Sequence, residues 1–440
     1  MNCKLKDQHI EQIITSVSSP GIRPGLERIT RLLSLLGNPH HSFHSVNVAG
    51  TNGKGSVSSN LASILVSSGY RTALYTSPHL ESITERLLIS GKQLSVEEWL
   101  DATYKVSKTV EKDHILSQDR PSYFENLTAI SFLLAKQNST EIAILEAGMG
   151  GRLDATNHGH NILLSVITHI AEDHKEFLGE NLKDIALEKF AIINKNGKAV
   201  FAGQNKELTD LFYSFCKERS AEGHVLSEEC IIKEPKYSLS GNTFDLELEG
   251  LSFKELKSSL PGKFQITNCS LSILAALLLE YRLQDINENT IRSGISNVKW
   301  PGRVEISGSS PTMVMDGAHN SDGMQAMIES IIQLWPVREN ISISVVFASM
   351  KDKDYISSFS SLSKIHPEVY FTQIPGNQRP EKSSILQTRS QPFFNKESVF
   401  AFEDPLEAVC EARKSADVVI ICGSLYLLGY LRKNCPDKFF

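Results

Sequence analysis

The sequence predicts an α/β protein in two domains. The larger, N-terminal one is built on a parallel sheet and carries a small antiparallel insertion. The smaller, C-terminal one is a second α/β domain. Three observations predict this. Short β-branched runs alternate with helical runs over most of the chain, the pattern of a parallel sheet covered on both faces. Between Tyr237 and Phe253 the rhythm gives way to an alternation of apolar and polar residues, which reads as antiparallel strands. Trp300-Pro301-Gly302 then punctuates the chain, and the strand–helix rhythm restarts beyond it. The domains are therefore expected at 1–299 and 300–440.

In order, Ser45 to Ala49 (SVNVA) reads as a buried strand, followed by a glycine-rich turn and a helix from about Ser56 to Ser68. Arg71 to Thr76 is the next strand. Ser95 with Glu98 forms a capping box that opens a helix through about Val110. Glu141 to Leu145 and Ile162 to Thr168 are further strands. Turns at Gly241-Asn242 and Glu249-Gly250 punctuate the insertion, and helical periodicity returns from Gln265 to Tyr281. In the second domain Thr312–Met315, Ile341–Phe347, Val369–Thr372, Val399–Phe402 and Val418–Cys422 are the expected strands.

Composition bounds the function. The chain has 440 residues, 41% hydrophobic and 22% charged, enough to bury full cores without disulfides or structural metals. Its 45 basic and 51 acidic residues leave a net charge of −6, which argues against general nucleic-acid or acidic-membrane binding. Seven cysteines without CxxC spacing point to a reducing compartment. The first eight residues have no apolar core of a signal peptide, and the longest uncharged stretch, Val418 to Leu431, is too short to span a bilayer. The expectation is a cytoplasmic protein, monomeric by default since no heptad or interface stripe appears, with no nucleic-acid or membrane partner.

The strongest local signal is Gly50-Thr51-Asn52-Gly53-Lys54-Gly55-Ser56, set between a predicted strand and a predicted helix. This is the context of a phosphate-binding loop. Glycines let successive amides turn toward an anion, and the helix N-terminus adds partial positive charge. Lys54 is placed to reach terminal phosphates and Ser56 to offer its hydroxyl to Mg²⁺. The spacing departs from the strict motif, being two residues shorter before Gly-Lys, with Gly55 inserted before the hydroxyl. The competing reading is a glycine-rich turn with an exposed lysine.

Glu146 ends a strand and is followed by Gly148, Gly150 and Gly151. A carboxylate there faces the ligand crevice and suits a hard cation, or else makes a surface salt bridge. Ser77 lies in the same layer, as a further oxygen ligand or a turn serine before Pro78. Asp173-His174 follows the next strand as a metal or proton-transfer pair, or a structural one. Lys189 falls within a predicted helix, where the residues alone suggest a solvated side chain. Beyond the boundary, Arg303 and the run Asp316-Gly317-Ala318-His319-Asn320 place a cation, an acid and a histidine at a strand's carboxyl end. His40, His41 and His44 crowd an Asn-Pro loop without partner ligands and read as solvated; His158 and His160 carry as little signal. An active site for two substrates would lie in a cleft between domains.

Taken together, VAGTNGKGSV (48–57), YTSPHL (75–80), ERLLISG (85–91), ILEAGMGGRLDATN (144–157), ITHIAEDH (167–174), LGENLKDIALEK (178–189), WPGRVE (300–305), DGAHN (316–320) and CGSLYLLG (422–429) resemble the folylpolyglutamate synthase/dihydrofolate synthase family of the Mur ligase superfamily. GRLDATN and SPHL separate this branch from the cell-wall ligases. The resemblance implies a P-loop NTPase-like first domain and a Rossmann-like second one. It implies an ATP-dependent ligase adding L-glutamate to dihydropteroate, to the γ-carboxylate of a folate, or to both, through an acyl phosphate.

Residue by residue, it implies that Asn52, Gly53, Lys54, Gly55 and Ser56 form the ATP phosphate site, with Asn268, Arg303 and Asp316 as further ATP contacts. Ser56, Ser77 and Glu146 would hold a first Mg²⁺. His174 and a carbamylated Lys189 would hold a second. His319 would lie next to the reacting phosphate. Arg28, Phe124, Arg152, Asp154 and Ala155 would lie on the pterin or acceptor side. After Lys189 this chain has Phe190-Ala191 where the family usually has Ala-Gly, so a bulky ring either crowds the modified lysine or packs beneath the helix. A small-molecule kinase and a non-catalytic nucleotide-binding module remain the alternative functions.

Overall fold

The computed structural model describes residues 3–158, 161–173, 175–248, 250–335, 341–376 and 379–435. The chain divides into two compact units. One comprises residues 1–232, Leu246–Phe253 and Asn268–Val298; the other comprises Lys233–Asp245, Lys254–Thr267 and residues 299–440.

The first unit is organised by an eight-stranded sheet. Its strands are β1 (His44–Ala49), β2 (Thr72–Tyr75), β3 (Leu87–Ile89), β4 (Lys92–Gln93), β5 (Ile142–Glu146), β6 (Ile162–Ile167), β7 (Lys198–Phe201) and β8 (Glu222–Val225), in the order β4-β3-β2-β5-β1-β6-β7-β8. Pairing is parallel except at β3 and β4, which turn back as an antiparallel edge. Both faces are covered, so the central strands β5, β1 and β6 are buried along most of their length, as a parallel sheet requires. Alternate residues Ala143 and Leu145 join a core with Ile10, Ile14, Trp99, Leu127 and Phe132. The helix Lys54–Ser67 packs on the other face, and Gly294 lets the helix Glu288–Ser296 approach it: a Cβ there would lie 2.5 Å from the Cα of Ile64.

The capping box read at Ser95 and Glu98 is present and opens the helix Val96–Lys112. A second such box, Ser122 with Glu125, opens Tyr123–Gln137. The insertion is a three-stranded antiparallel sheet in the order β11-β10-β9, with β9 Cys230–Ser238, β10 Gly241–Leu248 and β11 Leu251–Ser258. It is longer than the alternation from 237 to 253 suggests. The first turn falls at Leu239-Ser240, and Gly241, expected in the turn, begins β10 at φ +133°. Glu249 lies outside the described residues. The expected helix from Gln265 runs Lys263–Leu279.

The second unit carries a six-stranded sheet of β12 (Glu305–Ser307), β13 (Thr312–Met315), β14 (Ile343–Phe347), β15 (Glu368–Phe371), β16 (Val399–Ala401) and β17 (Val418–Cys422), in the order β12-β13-β17-β14-β15-β16. All pairs are parallel except β12 with β13. Five of these strands match the expected runs within two residues. Phe347, Phe359 and Phe371 stack edge to face in its core.

His40 is buried, not solvated, because the turn Pro39–Ser42 stacks it between His41 and Phe132. His158 packs beside it, with burial lowering its imidazole, and meets the Thr30 hydroxyl at 2.7 Å. His160 lies outside the described residues.

Candidate active site

The loop after β1 lies where the sheet order reverses direction, between the carboxyl ends of β5 and β6, the usual ligand crevice of such sheets. Its conformation demands glycine. Gly50 has φ +153°, and a Cβ there would run into the Thr168 hydroxyl. Gly53 has φ +90° and serves as N-cap of Lys54–Ser67. A Cβ on Gly53 would sit 2.5 Å from Asn268 Oδ1, so Asn268 stands directly against the loop. Gly53 brings no side-chain cap to that helix, and a helix N-terminus suits an anion. Lys54 Nζ donates to the carbonyls of Gly50 and Thr51, at 3.1 and 3.0 Å, and Ser56 is buried in the first turn.

Glu146 ends β5 in register with Val48 of β1 and is buried. Its Oε2 accepts from the backbone N–H of Ser77 at 3.1 Å. The parallel pairing of β2 with β5 produces this, since it carries both strand ends to the same edge. Lys189, on the helix Leu182–Phe190, is not a solvated residue: its side chain is 3% exposed and Nζ donates to the Gly50 carbonyl at 2.8 Å. Burial, aided by the positive charge of Lys54, pulls its ammonium down to about 7 against the opposing pull of Asp173 and Asp154. The Phe190 ring packs away beneath the helix against Phe201 and Phe212, with centroids at 5.6 and 5.5 Å. His174 lies outside the described residues.

The loop after β5 is fastened to the same helix. A Cβ on Gly151 would lie 2.7 Å from the Glu188 carbonyl and 3.1 Å from that of Lys189. Arg152 donates through its backbone to the Glu188 carbonyl at 3.0 Å and through Nε to the Glu188 carboxylate at 2.9 Å. Asp154 is buried and turned inward. It accepts from the N–H of Met149 and of Thr156 and from the Thr156 hydroxyl, and burial raises its carboxyl. Ala155 is buried in the core. Phe124, in the first turn of Tyr123–Gln137, lies over Gly148, where a Cβ would be 2.7 Å from its Cζ. Next to it, Glu125 accepts from Arg28 Nε at 3.2 Å, while Arg28 Nη2 holds the Arg23 carbonyl at 2.7 Å.

In the second unit Asp316 directly follows β13. Its carboxylate accepts from the N–H of Val304 and of Ala318 at 2.8 and 2.7 Å, tying the Arg303 loop to the 316–320 loop. Burial raises its carboxyl and the Arg303 charge lowers it. Val304, fully buried and β-branched, is held at φ +47°, a strained conformation for such a residue. His319 Nδ1 donates to the Gly317 carbonyl at 2.7 Å, and the Asn320 side chain caps Ser321–Leu334.

Structure thus brings Gly50 to Ser56, Ser77, Glu146, Lys189 and Asn268 together in the first unit, and Arg303, Asp316 and His319 together in the second. Sequence reading missed Thr51, Thr168 and Glu188. Each acts through partners far along the chain or through a backbone carbonyl, and no motif announces them.

Two family models match the chain: the Mur ligase middle domain over residues 93–276 and the Mur ligase glutamate ligase domain over 302–425. A dihydrofolate synthase/folylpolyglutamate synthase of Bacillus subtilis is 32% identical, over 94% of this chain and 95% of that protein. The folylpolyglutamate synthase of Thermotoga maritima has a solved structure similar at TM-score 0.84 and 30% identity, over 99% and 98% of the two chains. That of Mycobacterium tuberculosis, complexed with ADP and AMPPCP, is similar at TM-score 0.89 and 28% identity, over 98% of each. With phosphate loop, strand-end glutamate and buried lysine arranged as described, this chain belongs to the dihydrofolate synthase/folylpolyglutamate synthase family.

Proposed function

We propose that the chain is an ATP-dependent ligase that joins L-glutamate to dihydropteroate, to the γ-carboxylate of a reduced folate, or to both. The observation that carries this is the phosphate loop Gly50–Ser56, which follows the strand paired with the one ending in the buried Glu146 and is held at the Gly50 carbonyl by the buried Lys189. Family membership supports the reaction class, and nucleotide complexes of the Mycobacterium tuberculosis relative support ATP.

A carboxylate resists attack because its leaving group would be oxide. The reaction overcomes this in two steps. An acceptor carboxylate oxygen bonds to the γ-phosphorus as the bond to the β–γ bridging oxygen breaks, giving an acyl phosphate and ADP. The free amine of glutamate then attacks the acyl carbon, loses a proton, and phosphate departs as the amide forms. The protein contributes position and charge compensation. Loop amides and Lys54 hold the phosphates, with Asn52, Gly53, Gly55, Asn268, Arg303 and Asp316 as further ATP positions. His319, its ring fixed through Nδ1, is assigned beside the reacting phosphate. Arg28, Phe124, Arg152, Asp154 and Ala155 are assigned to the acceptor side. Of these, Arg28 and Asp154 act through the loops that they tie down.

The donor set fits Mg²⁺. Ser56, Ser77 and Glu146 would hold it, offering hydroxyl and carboxylate oxygens to a hard cation. No group of three or more His, Cys, Asp or Glu side chains that could hold a metal ion occurs among the described residues. Lys189 carries the second-metal assignment as a carbamate, together with His174. When bound, Mg²⁺ offsets the negative charge of the phosphates. The domain boundary is proposed at 299/300, and the chain as a cytoplasmic monomer without nucleic-acid or membrane partners. No helix among the described residues is long and apolar enough to cross a membrane.

The test supplies ATP, Mg²⁺, dihydropteroate or a reduced folate, and labelled glutamate. Label in the pterin product, in step with ADP and phosphate, is expected. ADP formed without glutamate would favour a kinase, and no turnover a binding module. Lys54→Ala is expected to lose most activity with the fold intact; wild-type turnover by that variant would remove the phosphate-loop reading.

A further inference from the structure

We infer that Thr51 is a positioning residue: its hydroxyl locks the segment after β6 onto the phosphate loop, so that Asp173 and Lys189 keep their place relative to the phosphates. The inference rests on the ATP-ligase reading above. Thr51 Oγ1 donates to the Ala171 carbonyl and accepts from the Ala171 N–H, at 2.9 Å each, closing a two-bond ring between residues 120 apart in sequence. Alongside it, the Thr51 N–H donates to the His169 carbonyl at 2.8 Å, and the Thr168 hydroxyl donates to the Asn52 carbonyl at 2.8 Å. The loop is gripped from the other side by Lys189 Nζ on the Gly50 carbonyl.

Two residues beyond Ala171 the same segment places Asp173 close enough to act electrostatically on Lys189. Loop, segment and lysine therefore form one connected body, and the Thr51 hydroxyl is its link at Ala171. Only a side chain that donates and accepts at once can make that ring. Valine has the shape of threonine but would leave both backbone groups of Ala171 without this partner. Serine keeps the ring.

The experiment is hydrogen exchange by mass spectrometry on the full chain, with and without ADP and Mg²⁺, alongside steady-state kinetics. In the wild type, nucleotide is expected to slow exchange in both 50–57 and 168–173. Thr51→Val is expected to keep the effect in 50–57 and lose it in 168–173. Its kcat should fall roughly 10- to 100-fold while KM for ATP stays within about threefold. Thr51→Ser should restore both readouts. Nucleotide-linked protection of 168–173 that survives in Thr51→Val, or a Thr51→Ser as impaired as Thr51→Val, overturns the inference. Should Thr51→Val unfold, Thr51→Ala, which also removes the hydroxyl, is read by the same measurements, with the same outcomes deciding. A wild type without glutamate-dependent turnover would sink the ligase reading instead, and the exchange data would still decide on the lock.

Discussion

Replacing Gly50 by alanine tests how tightly the phosphate loop is held against β6. At φ +153° an L side chain is strained, a cost of about 1–2 kcal/mol. The new methyl would overlap the Thr168 hydroxyl and come within 3.0 Å of its Cβ and 3.2 Å of its backbone nitrogen. Overpacking of this kind costs about 1–3 kcal/mol. The hydroxyl would also be driven from the Asn52 carbonyl it now meets at 2.8 Å, for about 1 kcal/mol more. The expected loss is about 3–6 kcal/mol, large for one methyl group.

A double-mutant cycle with Thr168→Ala isolates the steric part. Thr168→Ala alone should cost about 1–2 kcal/mol. In the Gly50→Ala background it should recover stability, because the overlapping oxygen is gone, giving a coupling of about 1–3 kcal/mol. Urea unfolding of the four proteins measures it, and calorimetry with ADP and Mg²⁺ reports whether loop shape follows. Additivity within about 0.5 kcal/mol would refute the close contact.

Other expectations concern the lysine helix and the cysteines. Phe190→Ala should destabilise by about 3–5 kcal/mol in urea unfolding, because its ring is fully buried between Phe201 and Phe212; a change below about 1 kcal/mol would contradict that packing. Lys189 sits near 7, so its neutral, nucleophilic form grows as pH rises through that value. ¹³C-bicarbonate should therefore label a carbamate more at about pH 8 than at about pH 6, and not at all in Lys189→Arg; equal labelling at both would count against the modification. Burial pushes the Cys216 thiol up from 9.0 to about 12 while Cys410 is exposed. Iodoacetamide at about pH 8 should thus label Cys410 well before Cys216 in the folded protein. Over the interval between those two values the unfolded thiol ionises and the folded one does not, so raising the pH there should lower stability.

What the sequence determined was whatever is written in local order. The glycine loop between strand and helix, the capping box at Ser95 and Glu98, and the strand ending in Glu146 are each legible within ten residues, because each is dictated by dihedral freedom, cap chemistry or period-two burial. The family pattern extended that legibility to Lys189, which its own neighbours made look solvated. Folding alone decided where Lys189 points and why Phe190 is harmless: the helix Leu182–Phe190 turns the amine to the Gly50 carbonyl and the ring to β7. Folding alone likewise buried His40, started the insertion at Cys230, and joined Thr51 to Ala171. A hydrogen bond or a ring contact between residues more than a hundred positions apart leaves no trace in local composition. It exists only once parallel strands bring their carboxyl ends to one edge of a sheet.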